Sequence, residues 1–183
     1  MKHSNISGHS RRLTLAIIGL LTVAAASLLA GCGGGSSSST PDSATRFATS
    51  YAGNWTGKWV DINGSSGTAT MVITTDATTE TATVTISLSG NQFGFVGSQS
   101  TLTGTFDSTG IHVSGPSGQT AQASLVIDPT GLFTGSATNV SSTVTSVTYG
   151  GPSTSQSATL QVTVHHTDGT TDSGTITVTK TTA

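Results

Sequence analysis

Residues 81–88 read TATVTISL. Every even position is apolar (Ala82, Val84, Ile86, Leu88) and every odd one carries a hydroxyl (Thr81, Thr83, Thr85, Ser87). Side chains that alternate with a period of two point to opposite faces of an extended chain, so this stretch is a strand with one dry and one wet face. The pattern returns at Ala158, Leu160, Val162 and Val164, set against Thr159, Gln161 and Thr163, and at Ile176 and Val178, set against Thr175, Thr177 and Thr179. Threonine favours strands and keeps the outer face solvated without charge. One buried face and one wet face mark an antiparallel sheet. From residue 46 onward no helical period of useful length is visible. The alternation predicts strands near 54–61, 67–75, 80–89, 99–106, 110–115, 121–128, 131–138, 142–149, 157–166 and 173–180. The fold class is therefore all-β, an antiparallel meander of about eight to ten short strands. Such a meander hides its edges by closing into a small up-and-down barrel or, alternatively, by packing as a β-sandwich.

The turns supply register. Asp107-Ser108-Thr109-Gly110 and Asp128-Pro129-Thr130-Gly131 share the pattern D-x-T-G and are expected to form the same four-residue loop. Asp bonds the backbone ahead of it, and Gly takes a conformation closed to other residues. The first loop sets Phe106 opposite Ile111 and Gly104 opposite Val113. At the last hairpin a two-residue turn on Asp168-Gly169 would set Val162 opposite Thr175, apolar against polar. Slipping a register by one inverts a face. A loop of three or five residues with Gly169 at a bulge restores the match.

Tyr51-Ala52-Gly53-Asn54-Trp55 resembles the Y-x-G-x-W opening of lipocalins. The resemblance implies that Trp55 plugs the closed end of an eight-stranded barrel. The rest of the lipocalin opening signature is absent. No arginine lies near the last strand to pack on the tryptophan; Lys180 is the nearest cation. No C-terminal helix is expected. Independently of any family, Trp55 and Trp59 are four apart, share one strand face and fit core or rim positions.

The N-terminus has a different character. Residues 1–12 carry Lys2, Arg11 and Arg12 and no acid; residues 13–30 are apolar apart from Thr14, Thr22 and Ser27. A basic flank, an apolar run and small residues at its end make an export signal. Leu29-Ala30-Gly31-Cys32 resembles the lipobox of bacterial lipoproteins, and Cys32 is the chain's single cysteine. The resemblance implies removal of residues 1–31, a diacylglycerol on the Cys32 sulfur and an acylated amino terminus, and Gly33 in the next position points to the outer membrane. One acyl chain holds a protein marginally, whereas two or three hold it firmly. The Gly/Ser-rich residues that follow cannot bury enough apolar surface to fold. They read as a linker with a reach of roughly 20 Å. The expected organisation is a signal peptide (1–31), a lipidated cysteine and linker (32–45) and one β domain (46–183).

From Cys32 onward three basic residues (Arg46, Lys58 and Lys180) stand against eight acids. With no basic stripe, nucleic acid is not an expected partner. A single cysteine excludes internal disulfides and multi-cysteine metal sites. No G-x-S-x-G, H-E-x-x-H or phosphate-binding loop occurs, so neither an enzyme activity nor a cofactor is expected. Two functions remain open. One is a non-catalytic binding domain for a small apolar ligand or a protein partner, with Trp55, Trp59, Phe93, Phe95 and Tyr149 as contacts, since aromatic groups dominate such sites. The other is a structural or surface-exposed interaction module without a pocket. His166 and Asp172 fall on the inner face if the last loop is odd. They could then pair or share a divalent metal. His112 is expected to face outward.

Overall fold

The computed structural model describes residues 40–92, 95–96, 99–117 and 121–181. The first described element is one that alternation does not announce: a helix, α1 (Ser43–Tyr51). Residues 43–45, read from the sequence as the end of the linker, form its first turn, and the expectation of no helix beyond residue 46 fails here. Asp42 is the N-cap, its carboxylate accepting the Thr45 amide at 2.7 Å. Nine residues make a marginal helix in isolation. Ala48 and Tyr51 hold this one in place by burying against the sheet.

The strands follow in chain order: β1 (Gly53–Asp61), β2 (Ser66–Asp76), β3 (Thr81–Leu88), β4 (Asn91–Gln92), β5 (Phe95–Val96), β6 (Gln99–Asp107), β7 (Gly110–Pro116), β8 (Gln122–Ile127), β9 (Leu132–Thr138), β10 (Val144–Pro152), β11 (Ser157–His166) and β12 (Thr171–Lys180). Strands β4 and β5 form a two-stranded ribbon of their own between β3 and β6. The other ten make an antiparallel up-and-down meander, and β12 pairs with β1 to close it. The sheet is thus a closed, lipocalin-like barrel rather than a sandwich, with ten strands where the lipocalin opening implied eight. Closure leaves no unpaired edge in the main sheet.

The inner face is the one the alternation assigns. Ala82 and Val84 in β3, Ala158, Leu160, Val162 and Val164 in β11, and Val178 in β12 are buried. Phe106 faces Ile111, and Gly104 faces Val113. At the last hairpin Val162 faces Gly174 and Leu160 faces Ile176, even against even. The loop has the expected odd length: the His166 amide bonds the Thr170 carbonyl at 2.9 Å, and Gly169 sits at φ +86°.

The two D-x-T-G segments differ from expectation, because they are not the same loop. Asp107 pairs directly with Gly110, leaving a two-residue turn. In the second, the Asp128 amide bonds the Leu132 carbonyl and Gly131 takes φ +85°, which gives a three-residue loop. Pro129 suits the second position of the type I turn that precedes such a glycine.

Successive strands reverse, so the β2–β3, β6–β7, β8–β9 and β10–β11 tips share one end of the barrel. Helix α1 lies across that end. The Tyr51 and Ser153 hydroxyls are 3.2 Å apart at the β10–β11 tip, and Lys180 at the end of β12 donates from Nζ to the Ser50 carbonyl at 2.9 Å. A cation on the last carbonyls of a helix is favourable. Lys180 also faces Trp55 across β1–β12. Trp55 is fully buried; its indole N–H donates to the Tyr51 carbonyl at 3.0 Å and its ring stacks on Tyr51. Ile73, Phe106, Ile111 and Ile127 bury completely in the same core. Each contributes about 1.5–3 kcal/mol relative to exposure.

Candidate ligand-binding site

The interior is not filled throughout. A cavity of about 120 Å³ runs from Phe133, Leu125 and Leu102 toward the end opposite α1, where Leu88, Ser100, Ser117 and Val140 border it. Its walls come from the same parity rule that made the strands. Even positions face inward in β3, β6, β11 and β12, and odd positions in β2, β7, β8 and β9. Most inward residues are small or aliphatic, and a closed wall of ten strands cannot collapse onto the space they leave. Among the described residues, no Lys, Arg, His, Asp or Glu lines it.

Tyr149 and Phe133 are the aromatic residues among the described lining. Tyr149 sits on β10 between Gly135 of β9 and Val162 of β11. A Cβ on residue 135 would stand 2.2 Å from the Tyr149 ring, so only glycine lets the ring lie flat across β9. Reaching over that glycine, the Tyr149 hydroxyl donates to the Ser124 carbonyl of β8 at 2.7 Å. Burial pushes its pKa up to about 12, which keeps the phenol neutral.

The other polar groups divide cleanly. Ser100 is the second residue of β6 and Ser117 follows β7; their hydroxyls lie 2.5 Å apart on the inner face. Thr70 also borders the cavity, but it belongs to the outward positions of β2 and is exposed, and its hydroxyl is directed at the Ser87 carbonyl.

Of the five aromatic residues singled out from the sequence, Tyr149 lines the cavity. Trp55 lies in the core beneath α1. Trp59 belongs to a separate cluster with Val144, Val162 and Val164, its ring over Gly67 and its N–H donated to the Ser89 carbonyl at 2.8 Å. Phe93 and the side chain of Phe95 lie outside the described residues, as do Cys32 and the rest of residues 1–39. Ser100, Ser117, Leu88, Leu102 and Val140 were not singled out beforehand. Parity places the strand residues among them inside, yet no local signal says which inward residue borders a void.

His166 and Asp172 do meet. The imidazole Nε2 is 3.1 Å from the carboxylate, with side chains 15% and 32% exposed. The odd loop between β11 and β12 brings them together. Among the described residues no third His, Cys, Asp or Glu joins them to make a metal-binding group. His112 points outward, its ring on the Thr109 hydroxyl at 2.9 Å.

No family model matches the chain, and no curated protein matches it. The barrel architecture is consistent with a non-catalytic domain that binds a small molecule.

Proposed function

We propose that this chain is a lipid-anchored envelope protein whose barrel binds a small apolar ligand without transforming it. The cavity carries this reading: about 120 Å³ of carbon-walled space inside a closed sheet. An engineered apolar cavity of about 150 Å³ stays dry and takes up benzene or xenon. The guest is therefore of single-ring size, and a long fatty acid or retinoid does not fit. The lipid anchor is supported by the sequence Leu29-Ala30-Gly31-Cys32 between an export signal and a Gly/Ser linker. The chain enters the barrel through α1, which covers one end.

Two measurements test the reading. Intact mass of the native material should show a chain beginning at residue 32 with acyl chains attached; a bare thiol at Cys32 rejects the anchor. Titration with toluene, followed by methyl NMR, should shift the Leu102 and Leu125 resonances saturably. An unsaturable, uniform drift across all methyls rejects the binding cavity and favours the pocketless interaction module.

A further inference from the structure

We propose that the barrel cavity selects an uncharged ligand bearing a single oxygen function, and that the Ser100–Ser117 hydroxyl pair is the group that recognises it. The inference rests on the reading of the cavity as a ligand site and adds the chemical class of the guest.

Three observations carry it. The first is the absence, among the described residues, of any charged side chain from the lining. An ion that enters leaves its hydration shell and meets no counter-charge, and burial of an unpaired charge is strongly unfavourable. Carboxylates and ammonium groups are excluded on that ground.

The second is how the polar atoms of the wall are used. The Tyr149 hydroxyl is committed to the Ser124 carbonyl, and Thr70 faces outward on β2. That leaves Ser100 and Ser117 as the inward hydroxyls. Two hydroxyls together hold two hydrogens and four lone pairs. Their mutual bond uses one hydrogen and one lone pair. Among the described residues, no other hydrogen bond engages either hydroxyl. The pair can therefore donate its free hydrogen to a guest oxygen, as a ketone or ester carbonyl requires, and can also accept from one that carries a hydrogen, as in an alcohol.

The third is placement. Ser100 is two residues from Leu102 on the same face of β6, at the end of the cavity opposite Phe133. A guest with its oxygen on the serine pair lays its apolar body along Leu102 and Leu125 toward Phe133. The cavity volume limits that body to about one ring with a short substituent.

The test uses three probes of one size on the full chain in phospholipid nanodiscs, with free ligand concentration measured: toluene, benzyl alcohol and benzoate at neutral pH. Methyl shifts of Leu102 and Leu125 report binding. Toluene and benzyl alcohol should saturate and benzoate should not. In the double variant Ser100→Ala/Ser117→Ala, toluene should bind as before or better. The affinity ratio of benzyl alcohol to toluene should fall about 3- to 10-fold, the loss of one neutral hydrogen bond. In the wild type, nuclear Overhauser contacts should join the benzyl alcohol methylene to the Ser100 and Ser117 β-protons, a readout that stands even if the double variant fails to fold. If toluene itself does not bind, the cavity reading falls and this inference with it. If toluene binds but benzoate binds equally, or the ratio is the same in both proteins, or the contacts lie elsewhere, the inference alone is overturned.

Discussion

Replacing Tyr149 by phenylalanine should change how the barrel responds to alkali. The phenol lies inside the wall, where burial pushes its pKa up to about 12 from an ordinary 10.0. Below pH 10 the folded and unfolded chains both carry the proton. Between pH 10 and 12 the unfolded chain releases it and the folded chain keeps it, so the unfolded state binds fewer protons and stability falls as pH rises. Above pH 12 both forms are ionised and the loss is complete. Two pKa units correspond to about 2.7 kcal/mol, an order-of-magnitude figure for one group. The assay is urea unfolding from pH 8 to pH 12 for wild type and Tyr149→Phe. At pH 8 the variant should be weaker by about 0.5–1.5 kcal/mol, because the bond from the hydroxyl to the Ser124 carbonyl is gone. With rising pH the two curves should converge and then cross, since the variant has no phenol to titrate at this position. The chain has two tyrosines. Subtracting the variant's ultraviolet titration from the wild-type one therefore isolates Tyr149. Parallel stability curves across the whole range, or a difference titration centred near pH 10, would refute the argument that the ring is desolvated within the barrel.

Three other outcomes are expected. Gly135→Ala places a Cβ 2.2 Å from the Tyr149 ring and 2.6 Å from the Ser124 carbonyl, so thermal unfolding should show a loss of about 1–3 kcal/mol; an unchanged melting temperature would mean the ring does not lie on that glycine. Asp107, Asp128 and Asp168 are each held below the ordinary carboxylate range, first by the hydroxyl of the threonine two residues on and then by backbone amides. Carboxyl NMR should accordingly find each pKa raised by Thr109→Ala, Thr130→Ala or Thr170→Ala respectively. The stability these aspartates supply is present above pH 3.8 and fades as pH drops through their lowered values, so the threonine variants should lose less on acidification. Asp42→Ala removes the cap of α1 and should weaken the helix, with faster amide exchange at Ala48 and Tyr51 as the local signature; unaltered exchange there would show that burial alone holds the helix.

The strands were legible because their signal is local and repeated. A half-buried strand must alternate, and β3, β11 and β12 do so over most of their lengths with Thr on one side and aliphatics on the other. The odd last loop followed from the same rule, and with it the meeting of His166 and Asp172. Helix α1 escaped notice because nine residues give too few turns for a period to stand out, and its stability comes from Ala48 and Tyr51 packing on distant strands. The D-x-T-G loops diverged because four residues do not fix a register; Pro129 in one and Ser108 in the other tilt the choice.

Inward and outward faces and the approximate number of strands were written in the order of residues, since hydrophobic alternation and turn chemistry act over a few positions at a time. Closure of β12 onto β1 was not, because it joins segments more than a hundred residues apart and depends on the accumulated twist and tilt of every strand between them. The cavity belongs to the same category. Its volume is what remains after all inward side chains meet across a closed wall. No single residue declares that Ser100, Tyr149 and Phe133 border one empty space while Trp55 and Trp59 lie elsewhere.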